Sequence, residues 1–276
     1  MAKITNYLFD ESISKEGYDF LESSKMNTYD ALEYSKRLME VMNSAYFMEH
    51  ITEHTNELGW LDEITLPISP PKSTLSKHLD NLNDIRSSSR KFTGEVISLT
   101  ELTQLLLLSY KKTKTGIKEK FIPNCRNIAS GGGLYPVDLY FVNLNVSNLP
   151  RGVYYYNIDR ISMEMLPHFE SDETFQEMVN QAFFSDTKID IDYSNAAGYI
   201  ILGSVLQRTC FKYQDRGIRW ALIDTGAIIH SIYLASASLG LGCCSVGGYC
   251  DDLVAQIIGF KDKSQVVFGT VIIGKI

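Results

Sequence analysis

Basic charge is in short supply in this chain. Lys and Arg number 26 against 33 Asp and Glu, a formal net charge of −7. The broad cationic face that a nucleic-acid partner requires is therefore missing. Cysteine is also sparse, with five residues at 125, 210, 243, 244 and 250. No pair has zinc-ribbon spacing, and the neighbours Cys243 and Cys244 are poorly placed to bridge each other. Reduced thiols in a cytoplasmic protein are the expectation. The opening MAKITNYLFDESISKEG lacks a basic-then-apolar signal pattern. The most apolar stretch, WALIDTGAIIHSIYLASASLGLG, is broken by Asp224 and His230 and rich in small residues. It predicts a buried helix and not a membrane span. Internal repeats and low-complexity tracts are absent too.

What the chain does contain falls into two parts. Its 276 residues, 45% of them hydrophobic, suffice for one large domain or a domain with an appendage. Residues 1–80 are charged and rich in helix formers, with a long helix expected from Asn27 or Thr28 to about Glu57. LPISPPKS, residues 66–73, is a proline-marked connector. Ser98 and Glu101 then form a capping box ahead of an apolar helical run. Strands are predicted at 137–144, 152–157, 197–204 and 265–273, each a short turn-bounded run of β-branched and aromatic residues. A helix over 219–239 has Gly240 in the C-cap position. This mixed order reads as α/β or α+β around one core spanning roughly 84–276.

Four segments carry candidate chemistry. In DIRSSSRKF, Arg86, Ser88 and Arg90 alternate, so extended chain would put two guanidiniums and a hydroxyl on one face suited to a phosphate. A solvated basic edge is the plainer alternative. In NIASGGGLYP, Gly131, Gly132 and Gly133 give either a sharp turn or a cradle for a flat ligand, and Tyr135 before Pro136 is expected to be extended. GGGLYP precedes a strand, so it is no dinucleotide fingerprint. LGLGCCSVGGYCDD ends in Gly247–Gly248, which could offer bare backbone N–H groups; its Gly242-to-Ser245 spacing misses a nucleophile elbow by one residue. In QRTCFKYQDRGIRW, Lys212 and Tyr213 lie among Arg208, Arg216 and Arg219, with Asp215 as a partial counterweight. Crowding by cations would lower a lysine toward general-base range. The alternative is a decorated surface turn. HITEH, residues 50–54, matches the inverted zincin pattern, but nothing compels the third, carboxylate ligand it needs; among five His and many Glu the match is read as coincidence, and no metal is expected.

Taken in order, RSSSRKF, NIASGGGLYPVDLY, GVYYYN, FKYQDRGIRWALIDTGAIIHSIYLASASLGLG, VGGY and VVFGTVIIGKI resemble the SagB/ThcOx-type branch of the nitroreductase superfamily. These are FMN-dependent dehydrogenases of thiazole- and oxazole-modified peptides. The resemblance covers about 84–276 and implies an α+β, nitroreductase-like FMN-binding domain over 81–276. Its central sheet would be mixed and mainly antiparallel, flanked by helices. The domain would be homodimeric, with a helical region of unknown role at 1–80. It further implies that Arg86 and Ser88 meet the FMN phosphate or ribityl chain and that Arg90 meets the flavin N1/O2 edge. Ser130 and Gly131 to Gly133 would lie along the ring, Val246, Gly247 and Gly248 would face N5, and Lys275 is a further phosphate candidate. Lys212 and Tyr213 match the pair that abstracts a proton from an azoline in a precursor peptide while hydride leaves for the flavin. Ala129 stands where the family usually has proline. Run in reverse with NAD(P)H, the same scaffold would reduce dehydroalanine or dehydrobutyrine in a lanthipeptide. Partners implied are the modified peptide and a cyclodehydratase or lanthionine synthetase. A small-molecule nitro- or quinone reductase and a non-catalytic peptide-binding subunit are the remaining alternatives.

Overall fold

The computed structural model describes residues 12–46, 66–67, 69–113, 125–166, 171–184 and 191–276. HITEH lies outside them, as does most of the helix expected to reach Glu57; within them that helix is α2, Asp30–Asn43, preceded by α1, Lys15–Ser23. Helix α3, Thr74–Ile85, straddles the expected boundary at residue 80.

Six strands form the central sheet in the order β5-β4-β2-β6-β8-β7. They are β2 (Val137–Asn143), β4 (Gly152–Asn157), β5 (Ser162–Met165), β6 (Gly198–Val205), β7 (Leu241–Val246) and β8 (Gln265–Lys275). Every pairing in it is antiparallel. Among the described residues the sheet is thus antiparallel throughout and not mixed, and parallel pairing occurs there only between the two-residue strands β1 (Ile97–Ser98) and β3 (Val146–Ser147).

The strand sequences alternate between two cores, one on each face. Val137, Leu139, Phe141, Ile200, Leu202, Val271 and Ile273 face one side, with Leu102, Leu105 and Leu106 of α4 (Leu99–Ser109). Ile228 and Ile232 of α7 (Arg216–Ser238) join that side. Tyr140, Val142, Tyr199, Ile201 and Ile272 face the other, against Phe175 and Val179 of α5 (Asp172–Ala182) and Val254 and Ile257 of α8 (Asp251–Ile257). Covering both faces explains why these strands read as nearly unbroken apolar runs.

Within the glycine-rich stretch after α7, residues 241–246 are the edge strand β7. Strand geometry sends Cys243 into the first core and Cys244 into the second. The two neighbouring cysteines are thus packing residues of separate layers, and all five thiols are free. Between β6 and α7 sits a short helix, α6 (Gln207–Tyr213), where the sequence suggested a turn. A register shift between β6 and β8 at Leu202/Gly203 bends the strand just before it.

Candidate functional site

Helix α7 organises the candidate residues into two clusters, one at each end. Trp220 and Tyr233, which anchor them, are separated along the axis by about 20 Å at 1.5 Å per residue.

The cluster at the N-terminal end contains Lys212 and Tyr213. The Lys212 ammonium stands 5.1 Å from the Tyr213 ring centroid, and that ring lies 6.4 Å from Trp220 at a 48° tilt. The glycine loop closes against all three. A Cβ on Gly131 would stand 2.9 Å from the Trp220 ring, and one on Gly132 only 2.5 Å from the Tyr213 hydroxyl and 3.2 Å from Lys212 Nζ. Gly132 also has φ +66°. Two requirements, space and a left-handed backbone, therefore exclude a side chain there. Within the chain the bare backbone of this loop allows the close approach of the Lys–Tyr pair.

The loop is tied down by groups the sequence reading missed. Asp224, one helical turn beyond Trp220 and buried, accepts from the Ser130 hydroxyl and the Gly131 N–H, while burial pushes its carboxyl upward. Ser130 Oγ in turn accepts from Tyr135 N–H at 2.9 Å. Tyr135 is not extended as expected before proline: its φ is +45°. Its hydroxyl accepts from Arg126 N–H at 3.0 Å and its ring lies 4.9 Å from the Arg126 guanidinium. These contacts hold the strained backbone. The i, i+4 spacing of Trp220 and Asp224 was a signal available in the sequence.

Arg208 does not crowd Lys212 as a free cation. It forms a two-pronged ion pair with buried Asp138 of β2, at 2.8 and 2.7 Å. Its burial is more than offset by those bonds, which raise it further above the ordinary arginine range.

The second cluster gathers on Tyr233. Arg86 places its guanidinium 5.5 Å from that ring centroid, Ser88 Oγ is 3.1 Å from the Tyr233 hydroxyl, and Ser245 N–H donates to the same oxygen at 2.8 Å. One tyrosine thus joins the Arg-x-Ser segment to the end of β7, where Val246, Gly247 and Gly248 follow. Residues 86–90 are not in a paired strand, but Ser89 N–H donates to Cys243 C=O along the edge of β7 at 2.9 Å. Gly247 is exposed, and a Cβ there would meet open space. Among the described residues neither Arg86 nor exposed Arg90 has a carboxylate partner. The unneutralised Arg86 guanidinium, a hydroxyl and an open backbone loop are a donor set that fits a phosphate-bearing cofactor. Lys275, the remaining phosphate candidate, has its ammonium paired with Glu101. That bond, followed by those from Ser98, pulls the Glu101 carboxyl down to about 2. Among the described residues no group of His, Cys, Asp and Glu could hold a metal, and no helix is long and apolar enough to cross a membrane.

The nitroreductase family model matches residues 85–275. This chain belongs to the nitroreductase family. It is similar to the nitroreductase-like protein MJ1384 of Methanocaldococcus jannaschii, 28% identical over 179 residues, covering 64% of this chain and 82% of that protein. It is also similar to the microcin B17-processing protein McbC of Escherichia coli, 24% identical over 170 residues, covering 61% of this chain and 58% of McbC. Among solved structures, a chain of the E. coli microcin synthetase McbBCD complex with truncated pro-MccB17 bound superimposes with a TM-score of 0.63 at 19% identity. That match covers 84% of this chain and 82% of the other. A nitroreductase-type protein from Ralstonia eutropha gives 0.57 at 18%, covering 78% and 87%. The fold is nitroreductase-like and the chain is an oxidoreductase of that family, related in sequence to a peptide-processing protein.

Proposed function

We propose that this protein is an FMN-dependent oxidoreductase that oxidises azoline rings in a ribosomally made peptide to thiazoles or oxazoles. The observation that carries the reading is the Lys212–Tyr213 pair packed on Gly132, with Lys212 Nζ 3.2 Å from where a Cβ would be. FMN, when bound, supplies the two-electron acceptor. Arg86 and Ser88 would hold its phosphate or ribityl chain, and Arg90, the 130–133 loop and Val246–Gly248 its ring system. Lys275, already occupied by Glu101, is left out of that set.

The chain's own task is the proton. Lys212 takes the acidic Cα proton of the azoline at Nζ, and the Tyr213 ring beside it limits where that side chain can reach. Trp220 adds an apolar wall beside the Tyr213 ring, while Lys212 itself stays exposed and within reach of a substrate peptide.

The two clusters at opposite ends of α7 fit a homodimer that builds each site from both subunits. The exposed face of α7 carries Leu222, Ile223, Gly226 and His230. A two-fold axis near Gly226, where a Cβ would meet nothing within 4 Å, would lay the Lys212 end of one copy against the Arg86 end of the other. The precursor peptide, and a cyclodehydratase that supplies its azolines, would be the partners, in the cytoplasm.

The test is purified protein with a synthetic thiazoline peptide. A yellow protein that removes two hydrogens from the ring, read by mass spectrometry, supports the proposal. A yellow protein that leaves the ring intact, bleaches with NAD(P)H and adds hydrogen to a dehydroalanine peptide replaces it with the reductase reading.

A further inference from the structure

Residues 12–26 lie outside the segment that defines the family match, yet they are packed against the helix that carries Lys212 and Tyr213. Ile13 and Leu21 share a buried cluster with Leu206 and Cys210 at the start and middle of α6, Ile218 and Ala221 in the first turns of α7, and Val266 of β8. Helix α6 has seven residues, well short of the length at which a helix is stable alone. Its position must come from what it is packed on.

The junction after it is also strained. Gln214, one residue past Tyr213, has φ +49° and ψ −142°, a region costly for any residue with a side chain. Asp215 follows, at the N-cap of α7. An aspartate there ordinarily accepts from the first N–H groups of its own helix, but here it makes no such bond. Its Oδ1 instead accepts from Ser14 N–H at 2.8 Å. Ser14 is at the same time the N-cap of α1, accepting from Gly17 N–H at 3.0 Å. Gly17 leaves no room to spare: a Cβ there would stand 2.7 Å from Asp215 Oδ1 and 2.9 Å from Ile13 Cγ2. Beyond α1 the segment is fastened a second time, to α8. Met26 N–H donates to Asp251 Oδ2 at 2.9 Å, and Lys25 pairs with Asp252 at 2.8 Å.

We propose that residues 12–26 brace the α6–α7 junction, and that Asp215 is the positioning residue through which they hold Lys212 and Tyr213 against the glycine loop. The forfeited helix cap and the strained Gln214 are what the brace sustains. This inference rests on the reading of Lys212 and Tyr213 as the working pair, and its test separates the two.

The full-length protein would be compared with Gly17→Ala, Asp215→Ala, Asp215→Asn and Lys212→Ala. Amide hydrogen exchange of residues 207–214 is the first readout, and turnover of a synthetic thiazoline peptide is the second. Loss of one hydrogen bond to a charged group corresponds to about tenfold or more in a local opening equilibrium. Asp215→Ala and Gly17→Ala should therefore raise exchange across 207–214 by about tenfold while strands β2 and β6 stay as in the wild type. Both should lower kcat with little change in KM and with flavin retained. Asp215→Asn keeps an oxygen that can accept from Ser14 N–H, and should match the wild type in both readouts. The brace is overturned if 207–214 exchanges at the wild-type rate in both Gly17→Ala and Asp215→Ala. It is equally overturned if the central strands open to the same extent, or if Asp215→Asn behaves like Asp215→Ala, which would make the charge and not the bond the active feature. Full activity in Lys212→Ala would instead remove the catalytic pair, and the exchange result would still decide the brace.

Discussion

At the scale of single residues, the two ends of α7 are expected to fail differently. Lys212→Ala removes the proposed proton acceptor without touching the Arg86–Ser88–Tyr233 group. It should keep its flavin absorbance and lose turnover by about 10²–10⁴-fold, the usual range for a general base. Arg86→Ala should instead emerge colourless, because it removes one of two guanidiniums that no carboxylate neutralises. Spectra of the two purified variants check both halves, and a yellow Arg86→Ala would remove that residue from the cofactor site. Gly132→Ala probes the contact between the clusters' chemistry and the fold. The new Cβ must displace the Tyr213 hydroxyl and accept φ +66°, together a cost of about 2–4 kcal/mol. Thermal unfolding should show it. An unchanged melting temperature would mean that the loop and the Lys–Tyr pair are not in contact.

At the scale of elements, the capping box read from Ser98 and Glu101 has a role that extends beyond its own helix. Glu101 accepts from Ser98 N–H at 2.8 Å and also holds Lys275 of β8, so it pins α4 to the last strand. A carboxylate whose folded value falls from 4.5 to about 2 binds protons less readily than in the unfolded chain. Its contribution is therefore complete above the unfolded value and is lost as pH falls through about 2. Glu101→Gln should flatten the acid limb of stability between those values and cost about 1 kcal/mol at neutral pH, given how exposed the pair is. Urea unfolding from neutral pH into that acid range measures it; an acid limb identical to wild type would show the bridge to be idle.

Elements were legible wherever local pattern and burial agree. β2, β4, β6 and β8 announce themselves because apolar residues fill both faces, and α7 because Gly240, at φ +66°, ends it. β7 was hidden because Gly240 and Gly242 break its local strand pattern, and its pairing with β8 is what makes it a strand. α6 was hidden for a related reason: seven residues rich in cations look like a turn until Arg208 is seen to reach Asp138, 70 positions away. Tyr135 shows the same override on one residue, where contacts with Arg126 and Ser130 defeat the local preference of a residue before proline. The site was legible as a list of segments. Their sorting into two clusters was not, because it depends on where each lies along a 23-residue helix.

At the scale of the whole molecule, that sorting makes a demand on assembly. If each site takes Lys212 from one subunit and Arg86 from the other, neither lesion need be fatal when the two are combined. In a mixed dimer of Lys212→Ala and Arg86→Ala, both lesions fall on one of the two sites, and the other is built entirely from unaltered groups. Random pairing of equal amounts makes half of all dimers mixed, and half of the sites in those are intact. Co-expression should therefore restore about a quarter of wild-type turnover from two variants that are each inactive. Gly226→Arg, on the exposed face where α7 would meet its counterpart, should abolish the restoration and reduce the mass in solution to one chain. If the mixture stays dead while wild-type protein is dimeric and active, both clusters of a working site belong to the same chain, and the two-subunit arrangement is wrong.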